Sequence, residues 1–473
     1  MVTPVHRRPF AVRFRDGFTY LASRTPARFA LVIFSGLIFI FTSLLSLPIM
    51  TATGTRAPLA DAVFTATSAI CVTGLVTVDM ATYWSPLGEV VIVVATQLGA
   101  VGVLTLASVM GLIVSRKLSL RQRLLAAGDV NPMSLTKAGG DSPASRLGEV
   151  GGLLATVAVS MLVIELALAL LMLPRVLLEG HPFGTAVIES LYFSAMSFTN
   201  TGFVFADAGL DPYATDIWFL SLMMIGVILG GLGFPVIYAL RRNFLRPRRW
   251  SLHVKLTLVT TGILFLLGAA TYMALEASNE ESIGGDGVGN LAFQSLFLSV
   301  MTRSGGFSTF DTGDLNHSSM LVTDMLMFIG GGSASTAGGI KVTTLAILFI
   351  AAFAEARGNT SMEAFERKIP GDVLRLAVSV VLWGATTVAL SCIILLQLQK
   401  EANLDAVLFD VISAFGTSGL SSGFTATLEE AGKYVLSMTM FMGRIGTVTL
   451  AAALAASQRR QLFTRAEERP IVG

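Results

Sequence analysis

Charged residues are scarce in this chain, where aspartate, glutamate, lysine and arginine together make up 14% of 473 residues. Soluble globular proteins carry about a quarter of such residues, so that class is excluded. In their place the chain has 53% hydrophobic residues and a mean hydropathy of +0.71. Several apolar runs are long enough to cross the roughly 30 Å hydrocarbon core of a bilayer. The composition therefore predicts an integral membrane protein surrounded by lipid.

The sequence also has few cysteines and lacks the common catalytic motifs. Two cysteines, Cys71 and Cys392, are too few for a disulfide framework, and both lie in apolar sequence that favours a buried thiol. The sequence has no glycine-rich phosphate loop and no His-Glu-x-x-His pair, and its four histidines are scattered. We therefore predict that the chain is not an enzyme and binds no organic cofactor. A net charge of +2 gives no reason to expect a nucleic-acid partner.

Eight apolar segments are long enough to span a bilayer, which predicts an all-α membrane protein with eight transmembrane helices. They cover residues 29–50, 86–114, 150–174, 214–240, 254–276, 319–353, 372–398 and 433–457. Basic residues concentrate in segments 1–28, 116–123, 241–249, 357–368 and 459–473. Because basic segments stay on the cytoplasmic side, both termini are expected in the cytoplasm, which agrees with an even number of spans.

The segments on the opposite side are half apolar and too short for a span, which is typical of a re-entrant helix followed by a loop. They cover residues 58–80, 183–208, 290–312 and 404–426, and they align on Gly74, Gly202, Gly306 and Gly419. Each glycine follows a short apolar helix and a small residue and precedes Leu or Phe. The alignment predicts four pseudo-repeats of helix, re-entrant pore helix and loop, and helix around a central pore, over residues 29–115, 149–242, 253–356 and 371–458.

A dehydrated potassium ion needs several oxygen ligands at once, and rings of backbone carbonyls can supply them. Glycine lets the backbone turn its carbonyls toward a common axis, while the short helices aim their negative C-terminal ends at the same point. We therefore expect a K⁺ site at the backbone carbonyls of a selectivity filter formed by four loops. Its candidate residues are Val72, Thr73, Gly74, Asn200, Thr201, Gly202, Ser304, Gly305, Gly306, Thr417, Ser418 and Gly419.

Three acids follow the loop glycines at the same distance. Asp79, Asp207 and Asp311 each lie five residues after a glycine, where they either draw cations to the outer mouth or form a turn. Arg303 lies three residues before Gly306, and it either reaches the outer surface or supports the filter from behind.

Other polar residues are expected to have structural roles. Asp61, Glu189 and Asp405 lie near the expected starts of three short helices, where capping is the simpler role. Asn200 and Thr201 are expected to hold the second loop through side-chain hydrogen bonds.

The sixth apolar segment is interrupted by a run of glycine and serine that is unfavourable in a helix. Unwound backbone at membrane depth should face a pore, although a tight-packing kink is an alternative. Arg444 lies near the middle of the last segment, where a charge costs at least about 2.5 kcal/mol, so it needs a partner, either Asp410 or the carbonyls of 330–339. The candidate gate residues are Gly330, Gly331, Gly332, Ser333, Ala334, Ser335, Thr336, Ala337, Gly338, Gly339, Lys341 and Arg444.

With these glycine loops, the broken sixth segment and Arg444, residues 29–457 resemble the Trk/Ktr/HKT superfamily of potassium transporters. The membrane subunit of bacterial Ktr systems is the closer match, because the first span leads straight into the first glycine loop. The resemblance implies potassium selectivity, a gate at 330–339 and a homodimer in the bacterial plasma (inner) membrane. It also implies a cytoplasmic nucleotide-binding (RCK-type) regulatory ring, for which the basic segments offer a docking surface. Sodium as an activating or coupled ion is left open.

Two other classes of protein were weighed. A sodium- or proton-coupled carrier of a small solute also has broken helices, but carriers usually show two inverted halves, whereas this chain shows four repeats of like orientation. An intramembrane enzyme would need a polar catalytic cluster inside the spans, and the sequence has none.

Overall fold

The computed structural model describes residues 26–116, 143–206, 208–285, 287–359 and 361–446. Several predictions therefore fall outside the described residues. They concern most of the N-terminal segment 1–28, the basic stretch beyond Arg116, Asp207, the end of the eighth apolar segment and the C-terminal tail 459–473.

Helices form most of the described chain. The first half contains α1 (Pro26–Leu45), α2 (Leu59–Ile70), α3 (Pro86–Arg116), α4 (Pro143–Leu178), α5 (Phe183–Thr199), α6 (Ile217–Leu232) and α7 (Phe234–Asn243). The second half contains α8 (Leu252–Leu275), α9 (Val288–Met301), α10 (His317–Phe328), α11 (Val342–Ala356), the hairpin of β1 (Met362–Ala364) and β2 (Arg367–Ile369), α12 (Gly371–Leu398), α13 (Leu404–Gly416) and α14 (Glu430–Phe441). A π-helical turn, Met442–Gly446, continues α14.

Four of these helices have stretches that are long and apolar enough to cross a membrane. The stretches are Pro86–Leu104, Ala155–Leu178, Leu252–Leu275 and Gly371–Leu398. The pair α6–α7 would make a fifth span if it is counted as one. The total of eight spans stays a prediction. Two of the other apolar segments are divided into shorter helices, the last extends beyond the described residues, and the first contains only the shorter apolar stretch Ala30–Leu45.

The fourth apolar segment, predicted as one span over 214–240, is divided at Gly233, where α7 departs from α6 by 102°. Gly233 has a φ of +87°, a conformation that glycine tolerates and other residues rarely adopt. Pro235 lies in the first turn of α7 and has no amide hydrogen to continue the helix of α6. The backbone therefore turns at this point.

The sixth apolar segment is divided as well. Helix α10 ends at Phe328 and α11 begins at Val342. The intervening residues 329–341, called the intramembrane loop below, are not helical, and Ile329 and Ile340 meet in a parallel bridge at its base.

The outer surface of the helices carries many large apolar side chains. Phe39 is 73% exposed and Leu266 is 70% exposed, which is unfavourable in water but suits contact with lipid. Conversely, the short helices α2, α5, α9 and α13 are mostly buried in the second half of their lengths. The apolar outer helices therefore enclose four short helices, and the candidate site lies where these end.

Candidate functional site

The four glycine loops share one backbone conformation. Each glycine has a left-handed φ: +93° at Gly74, +80° at Gly202, +75° at Gly306 and +91° at Gly419. The residue two positions earlier is left-handed as well, with φ of +56° at Val72, +62° at Asn200, +70° at Ser304 and +48° at Thr417. Left-handed φ is uncommon outside glycine, so its recurrence at matching positions means that all four loops follow the same path.

Backbone hydrogen bonds hold three of these loops against the helix that precedes each of them. The amide before the glycine donates to a carbonyl five residues earlier, from Thr73 to Ser68 at 2.8 Å and from Ser418 to Ser413 at 2.9 Å. The second loop repeats this contact between Thr201 and Met196. In the third loop the bonds shift by one residue, because Gly305 and Gly306 both donate to Met301.

The loops also converge on one another. A Cβ atom on Gly306 would lie 2.7 Å from the Ser418 carbonyl oxygen, and one on Gly419 would lie 2.5 Å from the Thr73 carbonyl oxygen. A Cβ on Gly74 would overlap the Thr201 carbonyl. Each glycine therefore faces the backbone carbonyl of another loop, and no side chain fits at these positions.

The ends of the short helices add to this environment. Helices α2, α5, α9 and α13 end within five residues of their loop glycines, so the partial negative charges of their C-termini lie beside the convergent carbonyls. In the described part of the chain, no group of three or more His, Cys, Asp or Glu side chains is arranged to hold a metal ion. The arrangement can thus coordinate a cation through backbone oxygens.

Side chains that the sequence analysis missed connect the loops to the short helices. Three residues after the glycine, a hydroxyl donates to an acceptor on its own short helix. These pairs are Thr77 to Asp61 (2.7 Å), Thr309 to Gln294 (3.0 Å) and Ser422 to Asp410 (3.0 Å). The second loop has Phe205 at this position, whose ring lies 5.0 Å from that of Tyr192 on α5. The recurring hydroxyl was a visible signal in three of the four repeats.

The acids near the starts of the short helices differ from one another. Asp61 lies in the first turn of α2 and pairs with Lys433 at 2.6 Å, so it does more than cap the helix. Asp405 lies in the first turn of α13. Glu189 does not lie at a helix start, contrary to the expectation, because α5 already begins at Phe183.

The acids that follow the glycines form turns where the structure describes them. Asp79 accepts hydrogen bonds from the amides of Ala81 and Thr82, and Asp311 accepts one from Gly313. These contacts are those expected of carboxylates that stabilise a turn.

The intramembrane loop presents its carbonyl oxygens to three cationic side chains. Arg444 donates to the Thr336 carbonyl, and Arg303 donates to the Gly330 carbonyl. Lys341 donates to the Ala337 carbonyl at 2.6 Å. Arg303 is 3% exposed. It therefore does not reach the outer surface, which was one of its two predicted positions, and it has the other, behind the glycine loops.

Asp410 is not the partner of Arg444. Its carboxylate accepts hydrogen bonds from the hydroxyl of Ser421 at 2.8 Å and from the amides of Ser422 and Thr425 at 2.8 and 2.7 Å. Arg444 therefore pairs with a carbonyl of the 330–339 segment, which was the second of its two predicted partners.

The intramembrane loop is also bound to the break between α6 and α7. Gly332 donates to the Gly231 carbonyl at 2.8 Å, and Phe234 donates to the Ala334 carbonyl at 3.2 Å. The hydroxyl of Thr336 donates to the Asn200 side-chain oxygen at 2.9 Å. The second glycine loop, the bend at Gly233 and the intramembrane loop thus form one connected unit. As expected, Asn200 holds its loop through its side chain.

Comparison with known proteins gives consistent results. The family described as TrkH, cation transport protein, matches residues 13–461. The chain is 33% identical to the Ktr system potassium uptake protein D of Bacillus subtilis over 91% of its own length and 93% of the relative's. It is also 33% identical to the Ktr system potassium uptake protein B of Vibrio alginolyticus, over 93% of each chain.

A solved structure has the same fold. The potassium transporter TrkH from Vibrio parahaemolyticus superposes with a TM-score of 0.67 and covers 89% of this chain and 83% of that one, at 17% sequence identity. The likeness at this identity supports the fold alone, whereas the family match and the two relatives cover most of the sequence. The chain therefore belongs to the TrkH family of cation transport proteins, a family of membrane transporters and not of enzymes.

Proposed function

We propose that this protein takes up potassium ions through a pore between the four glycine loops. The observation that carries the proposal is the shared left-handed conformation of these loops and their convergence, with carbonyls of Thr73, Thr201 and Ser418 facing glycines of other loops. A ring of such oxygens can replace the water around a potassium ion. The names of the two Ktr relatives, which are potassium uptake proteins, support the choice of ion.

In the proposed mechanism, potassium loses water at the carbonyl ring and waits above the intramembrane loop. This loop acts as the gate. Arg444, Arg303 and Lys341 keep its carbonyls occupied, which stabilises the closed path, and a cation beneath the ring opposes the passage of another cation. Opening requires that these hydrogen bonds separate.

We further propose the cellular arrangement that the family resemblance implies. The protein lies in a bacterial plasma membrane with both termini in the cytoplasm, forms a homodimer with one pore in each subunit and is controlled by a cytoplasmic nucleotide-binding ring. The exposed β1–β2 hairpin and the preceding Arg357 offer a surface for that ring. Sodium remains a candidate activating or coupled ion.

The test is ion flux into liposomes that contain the purified protein. We expect potassium flux to exceed sodium flux, and we expect Gly419→Ala to remove this preference because its Cβ meets the Thr73 carbonyl. The matched control is Gly423→Ala, since Gly423 has a φ of +89° but open space around its Cβ position. If both variants keep the preference for potassium, the filter assignment is wrong.

The alternative is a sodium- or proton-coupled carrier of a small solute. The break in α6–α7 favours it to a degree, because discontinuous helices also form carrier sites. Uptake of a small organic solute that a sodium or proton gradient drives, without potassium flux, would support this alternative over the pore.

A further inference from the structure

A cleft of about 270 Å³ lies where the chain turns from α7 into α8. Its lining residues are Pro247, Arg248, Trp250, Lys255, Leu258, Val259 and Phe365. It lies apart from the glycine loops and the intramembrane loop, although Phe365 belongs to the hairpin that we assign to the regulatory ring.

The surroundings of the cleft have an unusual charge. From residue 234 to residue 258 the sequence contains five arginines and one lysine but no aspartate or glutamate. Within the part of the chain that the structure describes, no carboxylate lies within 4 Å of Arg248 or Lys255. The two cations at the cleft are therefore available to an anion.

The cleft also has an apolar side. Leu258 and Val259 belong to the stretch Leu252–Leu275, which is long and apolar enough to cross a membrane, and Val259 is 46% exposed. Lys255 precedes Val259 by four residues, or about 6 Å along the helix axis. The wall of the cleft is almost wholly apolar, and the charged ends of Arg248 and Lys255 lie at its rim.

Two aromatic residues shape the entrance. The indole of Trp250 donates to the Asn243 carbonyl at 3.0 Å, and tryptophan favours the membrane–water interface. Phe365, at the tip of the β1–β2 hairpin, lies with its ring 5.6 Å from the Lys255 ammonium group. With the basic segments in the cytoplasm, as proposed above, the cleft lies at the boundary between cytoplasm and bilayer.

We propose that this cleft binds the headgroup of an anionic phospholipid, with Arg248 and Lys255 on the phosphate and Leu258, Val259 and Phe365 against the upper acyl chains. Basic pockets at the cytoplasmic ends of membrane helices suit such headgroups. A small soluble anion would leave the apolar wall exposed, and an acidic peptide would not follow it to the depth of Val259.

The position of the cleft connects it to the candidate gate. Trp250 and Leu258 pack against the buried cluster of Leu232, Val236 and Val254, which surrounds the bend at Gly233. The amide of Phe234, next to Gly233, donates to the carbonyl of Ala334 in the intramembrane loop. A lipid that fixes Trp250 and Leu258 would therefore steady the bend on which the intramembrane loop rests.

The binding test uses the full chain in detergent mixed with phosphatidylglycerol and phosphatidylcholine, and it counts retained lipids by native mass spectrometry. We expect the unmodified protein to retain phosphatidylglycerol in preference to phosphatidylcholine. The double variant Arg248→Gln/Lys255→Gln should lose this preference. The matched control Arg241→Gln/Arg242→Gln removes two charges from the same segment outside the cleft and should keep it.

Three results would overturn the proposal. Equal loss in both double variants would mean that charge attracts lipid without a defined site. Displacement of phosphatidylglycerol by soluble glycerol phosphate at equal concentration would identify a small-anion site. Unchanged retention of phosphatidylglycerol in the cleft variant would mean that Arg248 and Lys255 do not bind lipid and are available to a soluble protein partner. Since none of these readouts is ion flux, failure here is separate from failure of the proposed transport function.

Discussion

At the scale of single residues, the hydroxyls three positions after the loop glycines act as braces between each loop and its short helix. Thr309 and Gln294 form the simplest of these pairs, because both side chains are neutral. The brace holds the segment just beyond Gly306, and we expect the carbonyl positions on both sides of that glycine to depend on it.

We expect Thr309→Val to reduce the preference for potassium over sodium. Loss of one hydrogen bond costs about 1 kcal/mol, which corresponds to a change of up to about fivefold in the flux ratio. Thr309→Ser keeps the donor and should restore the ratio. The measurement is paired potassium and sodium flux in liposomes. If the Val variant only lowers protein stability and keeps the ratio, the brace is structural and does not position the filter.

At the scale of elements, the bend between α6 and α7 and the intramembrane loop depend on each other. A Cβ on Gly233 would lie 2.7 Å from the carbonyl oxygens of Ser333 and Ala334. The loop cannot keep its present path beside any larger residue at this position.

Gly233→Ala is therefore expected to displace the intramembrane loop and raise potassium flux. A residue forced into a left-handed φ costs of the order of 1–3 kcal/mol, so some stability will be lost as well. Gly180→Ala controls for this cost, because Gly180 has a φ of +89° with open space at its Cβ position. Flux that rises equally in both variants would argue against a specific link between the bend and the loop.

The intramembrane loop can also be tested directly. Deletion of residues 333–335 removes part of the obstruction and should raise flux if the loop gates the path. The melting temperature of the deleted protein in detergent shows whether it remains folded. Flux that falls or stays flat in a folded protein would contradict the assignment of the gate.

At the scale of the whole molecule, the first and last repeats are joined by an ion pair between residues 372 positions apart, Asp61 and Lys433. The side chains are 9% and 15% exposed, so the pair is nearly buried. Asp61 also accepts the brace from Thr77, and the contact that joins the two repeats therefore also reaches the first glycine loop.

We expect Lys433→Met to destabilise the protein by about 3–5 kcal/mol, the usual effect of leaving one charge of a buried pair without its partner. The double variant Asp61→Asn/Lys433→Met should recover part of this loss, because no uncompensated charge remains. Thermal unfolding in detergent measures both changes. Equal destabilisation by the single and double variants would show that the pair contributes little beyond packing.

The match between sequence and structure differs from feature to feature. The role of the glycines at 74, 202, 306 and 419 was predictable from the sequence. A left-handed backbone and the close approach of carbonyls both exclude a side chain, so the same residue type, glycine, recurs at all four positions. The hydroxyl braces were visible as a pattern, but their acceptors lie on a helix at different distances from the glycine. The break at Gly233 could not be predicted, because a continuous apolar segment predicts one span whether or not the helix bends.

The sequence by itself determined that this protein is apolar enough to lie in a membrane and that one glycine-containing motif recurs in it four times. These properties follow from local composition and spacing, which every arrangement of the chain must share. Only the tertiary structure decided that Arg444 binds the Thr336 carbonyl and not Asp410, that Lys433 meets Asp61 and that the intramembrane loop rests on the α6–α7 bend. Such pairings join residues that are distant in the chain. Each of these polar groups could form hydrogen bonds with several partners, and only the packing of the folded chain brings one of them within reach.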